Sequence, residues 1–170
     1  MAKIDRVLVG EGLAGDGAEI AHVELIMGPR GSAAEAAFCN SLTNQKDGFN
    51  SLLAVITPEV AVKPSTISFN KVTIKNGDQA NLMYGAAQRA VAMAVANSVE
   101  DGTIPKAEAH DVFISIGVFV HWEAKDANKV QDYNYEAIMK ALKRAVNGEP
   151  TIDEVLAQKD KLEHPYAAHK

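Results

Sequence analysis

Alternation dominates the first quarter of the chain. Between Glu19 and Met27 the odd positions Ala21, Val23, Leu25 and Met27 are all apolar, the period-2 signature of a strand with one face in a core. The even positions Ile20, His22, Glu24 and Ile26 share the other face. Two titratable groups flanked by isoleucines do not make an ordinary solvent face, so this face is expected to be partly covered by another element or another subunit. A strand is predicted before it, over Ile4 to Val9, with Gly15-Asp16-Gly17 as the turn of a hairpin.

Gly28-Pro29-Arg30-Gly31 then turns the chain, and Ser32 with Glu35 three residues on fits a capping box for a helix over Ala33 to Asn44. The segment Phe49 to Lys63 is mixed, with an apolar run from Leu52 to Ile56 closed by Thr57-Pro58. A third strand is predicted over Ile67 to Ile74, with Ile67, Phe69, Lys71 and Thr73 on one face. Asn76-Gly77-Asp78 can cap the alanine-rich helix from Gln79 to Val99, which Gly85 divides. One helical turn is predicted over Lys106 to His110. Val112 to Val120 is apolar on both faces and reads as the central strand. In the last long helix, Asn128 to Asn147, Val130, Ala137, Ile138, Ala141, Leu142 and Ala145 form a buried stripe, and Gly148 with Pro150 stops it. From Thr151 onward the chain is polar apart from a short helical stretch near Val155, and reads as a loosely held tail able to reach onto a partner. This order predicts an α+β fold, a two-layer α/β sandwich with helices on one face of a small mixed sheet, in a single domain spanning residues 1–170.

Composition sharpens this only by exclusion. With 170 residues, 47% of them apolar and 23% charged, the chain is long enough for one self-sufficient core. Seventeen basic against 22 acidic residues give −5, a poor match to nucleic acid or an anionic membrane surface. The longest apolar stretch is far short of the roughly 20 residues that span a bilayer. A single cysteine, Cys39, excludes an internal disulfide and a cysteine-based zinc site. A cytoplasmic protein is expected.

The chain has no P-loop, no dinucleotide-binding glycine motif and no nucleophile elbow. The histidines His22, His110, His121, His164 and His169 lack metal-ligand spacing, so no metal is expected. Cys39, in a helix interior, reads as a buried small hydrophobe. His22 is either a structural histidine or a general acid/base oriented by Glu24 on the same face. Lys71, with the Thr73 hydroxyl two residues on, is either solvated or functional. Trp122 is expected to pack, with His121 and Glu123 solvated, and Tyr133 and Tyr135 to serve packing or contact.

Several segments carry a stronger signal together. Val9 to His22 (VGEGLAGDGAEIAH) and Gly28-Pro-Arg-Gly-Ser32 strongly resemble the formaldehyde-activating enzyme family. So do Ala37-Phe-Cys-Asn40, Ser51 to Ile56, Phe69 to Ile74, Gly117 to Ala124, Tyr133 to Ala137 and Arg144 to Pro150, in order along the whole chain. The resemblance implies condensation of formaldehyde with tetrahydromethanopterin, a co-substrate, to methylene-tetrahydromethanopterin and water, in one-carbon metabolism and formaldehyde detoxification. It implies a fold of the ribosomal-protein S5 domain 2 type and a homopentamer with sites at subunit clefts, without metal or prosthetic group. The family's catalytic histidine falls on His22. Its pterin-contacting acid falls on Glu24, where the family has aspartate, and its other contact positions fall on Leu53, Lys71, Thr73 and Gln88. The glutamate leaves a second reading open, a non-catalytic paralogue that binds or senses formaldehyde, a pterin or another one-carbon carrier.

Overall fold

The computed structural model describes residues 3–161. Its main sheet has five strands in the order β1-β2-β7-β6-β3. These are β1 (Leu8–Ala14), β2 (Ala21–Pro29), β3 (Ser51–Leu53), β6 (Ser65–Asn70) and β7 (Val112–Val118), with β4 (Val55–Thr57) and β5 (Val60–Ala61) forming a separate ribbon. All sheet neighbours are antiparallel except β6 and β7, so the sheet is mixed, and β7, buried along its whole length, is central as expected. The helices are α1 (Ala33–Thr43), α2 (Gly77–Leu82), α3 (Gln88–Glu100), α4 (Ala127–Asn147) and α5 (Ile152–Gln158). A π-helical turn at Met83–Ala87 joins α2 to α3 around Gly85, where the sequence predicts a division.

The predicted two layers are present. Helices α3 and α4 cover the sheet face formed by Ala21, Val23, Leu25, Met27, Ile114, Ile116 and Val118, with Ala90, Val91, Ala94, Ala137, Ile138, Ala141 and Leu142 closing one core. The short α1 lies over one end of the opposite face. Phe38 packs on Phe113 at 5.3 Å between ring centroids, with Ile67 and Leu53 beside them. Ser32 caps α1 by accepting from Ala34 N–H, while Glu35 reaches Gly31 N–H rather than its capping-box partner.

Strand β1 starts and ends later than the predicted Ile4 to Val9, because it runs through Gly10 and Gly12. Both glycines lie under α4, where a Cβ would collide with the carbonyl oxygens of Ala141 and Ala137. Two residues of strand advance about 6.7 Å and one helical turn about 5.4 Å, so alternate glycines meet successive turns. α4 also holds the outer edge of β1: Arg144 Nη1 donates to Glu11 O at 3.1 Å and Lys140 Nζ to Leu13 O at 3.2 Å. Such contacts occupy backbone groups that an edge strand otherwise leaves exposed.

Strand β6 ends at Asn70, short of the predicted Ile74. There Asn70 Nδ2 donates to Gly48 O, Asn70 Oδ1 accepts from Asn50 N–H, and Ile74 N–H donates to Gly48 O, so the chain bonds to the 44–50 loop. Cys39 is exposed, contrary to the expected burial, because α1 buries the Ala34/Phe38 stripe and the next position points away. Helix α5 carries a Thr151/Glu154 capping box and buries nothing. The rest of the predicted tail, with His164 and His169, lies outside the described residues.

Candidate active site

The open half of the α1-covered sheet face carries the titratable groups. Pairing of β1 with β2 sets Leu13 opposite His22 and Glu11 opposite Glu24, and β2 with β7 sets Glu24 opposite Gly117. Val9, Glu11, Leu13, His22, Glu24 and Ile26 therefore share one surface. Gly117 keeps it low: a Cβ there would press within 3.1 Å of Lys71 Cδ and 3.0 Å of the Phe69 ring.

His22 is mostly buried, its side chain 20% exposed, and its Nε2 lies 3.2 Å from Glu11 Oε1. Glu11 Oε2 in turn accepts from Arg144 Nη1 at 2.8 Å. Glu24, which the sequence reading assigns to orienting the histidine, forms an ion pair with Lys71. The two cross-strand carboxylates would repel as like charges directly opposite each other, and each has its own cation.

Beyond the strand ends, a recess of about 300 Å³ is lined by His22, Lys71, Val72, Phe119, His121 and Trp122. His121 stacks on Trp122 at 4.0 Å between centroids, and Lys75 Nζ sits 3.4 Å from the centre of the indole ring. His121 Nδ1 accepts from Glu123 N–H at 3.1 Å, which fixes the tautomer and the turn. The expectation that His121 is merely solvated is thereby corrected: it forms a wall beside His22. Behind Glu24 a second cavity of about 500 Å³ runs toward α1, with Val9, Ile26, Ala37 and Phe69 as walls and Ser115 on its floor. Ser115 Oγ is buried there without a hydrogen-bond partner.

The predicted site residues thus fall into two groups. His22, Glu24 and Lys71 come together. Thr73 follows two residues on, exposed beside Gly48. Leu53 and Gln88 form a separate pair, with Gln88 Nε2 donating to Leu53 O at 3.4 Å. Leu53 is level with Ile67, Ser115 and Ile26, three strands across and four residues along from His22, which places it roughly 20 Å away in the same chain. Glu11, Arg144 and Phe119 were missed by the sequence reading. Period 2 back from Leu13 points to Glu11 once the hairpin register is known, whereas Arg144 had no local signal. Among the described residues no group of three His, Cys, Asp or Glu could hold a metal ion, and no helix is long and apolar enough to cross a membrane.

Residues 9–167 match the family described as Formaldehyde-activating enzyme (Fae). The chain is 52% identical to the 5,6,7,8-tetrahydromethanopterin hydro-lyase of Methanosarcina barkeri over 160 residues, which are 94% of this chain and 90% of that protein. It is 48% identical over 162 residues to the bifunctional enzyme Fae/Hps of Methanosarcina mazei, and 44% identical over 162 residues to that of Archaeoglobus fulgidus. Each match covers 95% of this chain and 41% of the bifunctional protein.

Proposed function

Because the chain belongs to the formaldehyde-activating enzyme family and acts as a hydro-lyase that condenses formaldehyde with tetrahydromethanopterin, we propose that this reaction takes place in the His22 recess. His22 serves as the general acid. A nucleophilic ring nitrogen of the pterin adds to formaldehyde, and the resulting hydroxymethyl group must lose water. Protonation of its hydroxyl by the imidazolium makes water the leaving group, and the pterin's second nitrogen closes onto the carbon. The carboxylate of Glu24, held by Lys71, faces the pterin N–H groups or the developing cation. Thr73 and Lys71 position the co-substrate, and the Phe119, His121 and Trp122 walls exclude water around the leaving hydroxyl. Holding both reactants in register supplies much of the acceleration. The scheme uses no metal.

The roughly 20 Å between His22 and the Leu53/Gln88 pair of the same chain supports a site shared between copies. In this reading Leu53 and Gln88 of one protomer face His22 of its neighbour in a homo-oligomer, a pentamer, in the cytoplasm. Exposed apolar side chains at Val9 (66%), Val60 (53%) and Ile56 (49%) supply surface for such contacts.

The observation that carries the proposal is that His22 and Lys71 line one recess, with Glu24 paired to Lys71 beside it, in a chain of this family. The test compares condensation rates without protein, with the protein and with His22→Ala. A clear acceleration that His22→Ala abolishes is expected. Undiminished acceleration by His22→Ala would overturn the site assignment, and a folded oligomer that adds nothing to the spontaneous rate would leave a binding or sensing paralogue.

A further inference from the structure

The His22 imidazole is engaged through a particular nitrogen. Glu11 Oε1 stands 3.2 Å from Nε2, and Glu11 is itself constrained twice by one guanidinium group. Arg144 Nη1 donates to its side-chain Oε2 at 2.8 Å and to its backbone carbonyl at 3.1 Å. One turn earlier on α4, Lys140 holds the carbonyl of Leu13, the residue paired with His22 across the hairpin. A glutamate on a glycine-flanked strand would otherwise sample many rotamers. Here its backbone and its head group are both tied to a 21-residue helix.

The other charged groups on this side have separate engagements. Glu24, next to His22 on its own strand face, is paired with Lys71. Lys140 is also paired with Glu136, and His121 accepts from Glu123 N–H. The carboxylate aimed at Nε2 is Glu11.

We propose that Glu11 is a positioning residue for the reaction, accepting the Nε2–H of His22 and so fixing ring rotation and tautomer, which assigns proton exchange with the substrate to Nδ1. The inference rests on the reading of His22 as the acid. In the step it serves, the Nδ1 proton passes to the hydroxyl of the hydroxymethyl group. The carbon–oxygen bond breaks with its electron pair going to oxygen, and water leaves. The lone pair of the bearing nitrogen forms the carbon–nitrogen double bond. When the second pterin nitrogen attacks that carbon, its proton returns to Nδ1, and the imidazolium is restored. Through both transfers Nε2–H stays on Glu11, so the ring does not rotate between them.

The test uses the full chain and four proteins: wild type, Glu11→Ala, Glu11→Gln and His22→Ala. Steady-state kinetics give kcat and KM for both substrates. Nitrogen-15 correlation spectra of the histidine rings, at a pH where imidazole is neutral, report the His22 tautomer, with His22→Ala identifying the signal. Glu11→Ala should lower kcat on the order of tenfold to a hundredfold with KM nearly unchanged, the cost expected when a reacting group loses its alignment. Glu11→Gln should recover most of that loss, because its amide oxygen accepts the same Nε2–H. His22 should be the Nε2–H tautomer in wild type and Glu11→Gln, and a mixture in Glu11→Ala. A wild-type kcat in Glu11→Ala, a loss confined to KM, or an unchanged tautomer in Glu11→Ala would each overturn the proposal. If His22→Ala turns over like wild type, the acid assignment fails instead, and the tautomer spectra still decide whether Glu11 orients the ring.

Discussion

Gly12→Ala is a one-carbon change whose consequence follows from the contact between β1 and α4. The added Cβ would sit closer than 3.0 Å to the carbonyl oxygen of Ala137 and 3.2 Å from Ala141 N, both backbone atoms of α4. Backbone cannot rotate away as a side-chain tip can, so the helix or the strand must retreat. An ordinary C···O approach is about 3.3 Å, which requires a shift on the order of 1 Å. That shift loosens the stripe of Ala137, Ile138, Ala141 and Leu142 against the sheet. Overpacking of this kind costs about 1–3 kcal/mol, offset by about 0.4–1 kcal/mol from the stiffer unfolded chain. A net loss of about 1 kcal/mol lowers the melting temperature of a chain this size by roughly 2–4 °C. The assay is urea and thermal unfolding at fixed protein concentration, since assembly would otherwise enter the result. The comparison is Gly85→Ala, where a Cβ meets nothing within 4 Å and the helical backbone gains about 0.5–1 kcal/mol. Equal melting temperatures for the two variants, or a Gly12→Ala as stable as wild type, would refute the close-approach reasoning.

Three further outcomes are expected. Phe38→Ala removes the ring that joins α1 to Phe113 and Ile67, and should cost about 3 kcal/mol in urea unfolding while accelerating amide exchange over 33–43. Lys71→Met leaves Glu24 facing Glu11 without its cation, so adding Glu24→Gln should recover stability in a double-mutant cycle, by no more than about 1 kcal/mol for so exposed a pair. Glu19 accepts backbone N–H groups of Lys125 and Asp126 at the start of α4, which holds its carboxyl below the usual glutamate value of about 4.3. With the folded-state value depressed, its stabilisation is complete above that range and is lost as pH falls through the lower folded value. Glu19→Gln should therefore be less stable than wild type at pH 7, and the two melting temperatures should converge in acid.

What could be read in the sequence was local. The odd positions of β2 from Ala21 to Met27 are all buried, the α4 stripe from Val130 to Ala145 is buried, and Gly148 ends that helix in the left-handed conformation. Each follows from period and capping within one segment. The errors arise where a partner is distant in the chain. The predicted first strand stops at Val9, short of Gly10 and Gly12, because their purpose is the approach of a helix some 130 residues later. The Lys71/Thr73 segment leaves the sheet because Asn70 finds Gly48. His22 and Lys71 were visible as polar groups on apolar strands. Their cross-pairing with Glu11 and Glu24 was not, because it depends on hairpin register and on the order of strands in the sheet. Leu53 and Gln88 carry no periodic signal that marks them as site residues, and only the family resemblance pointed to them.

The clasp between β1 and α4 also has a consequence during synthesis. The first strand leaves the ribosome about 125 residues before the helix turns that receive its glycines. At about 5–20 residues per second that is roughly 6–25 s of waiting. A strand with two glycines has weak intrinsic preference for the sheet, so the hairpin gains its full support only once Ala137 and Ala141 have been made. Arg144, which ties both the head group and the carbonyl of Glu11, emerges later still. The contact that positions His22 is therefore completed by a residue more than 120 positions downstream of the histidine it serves.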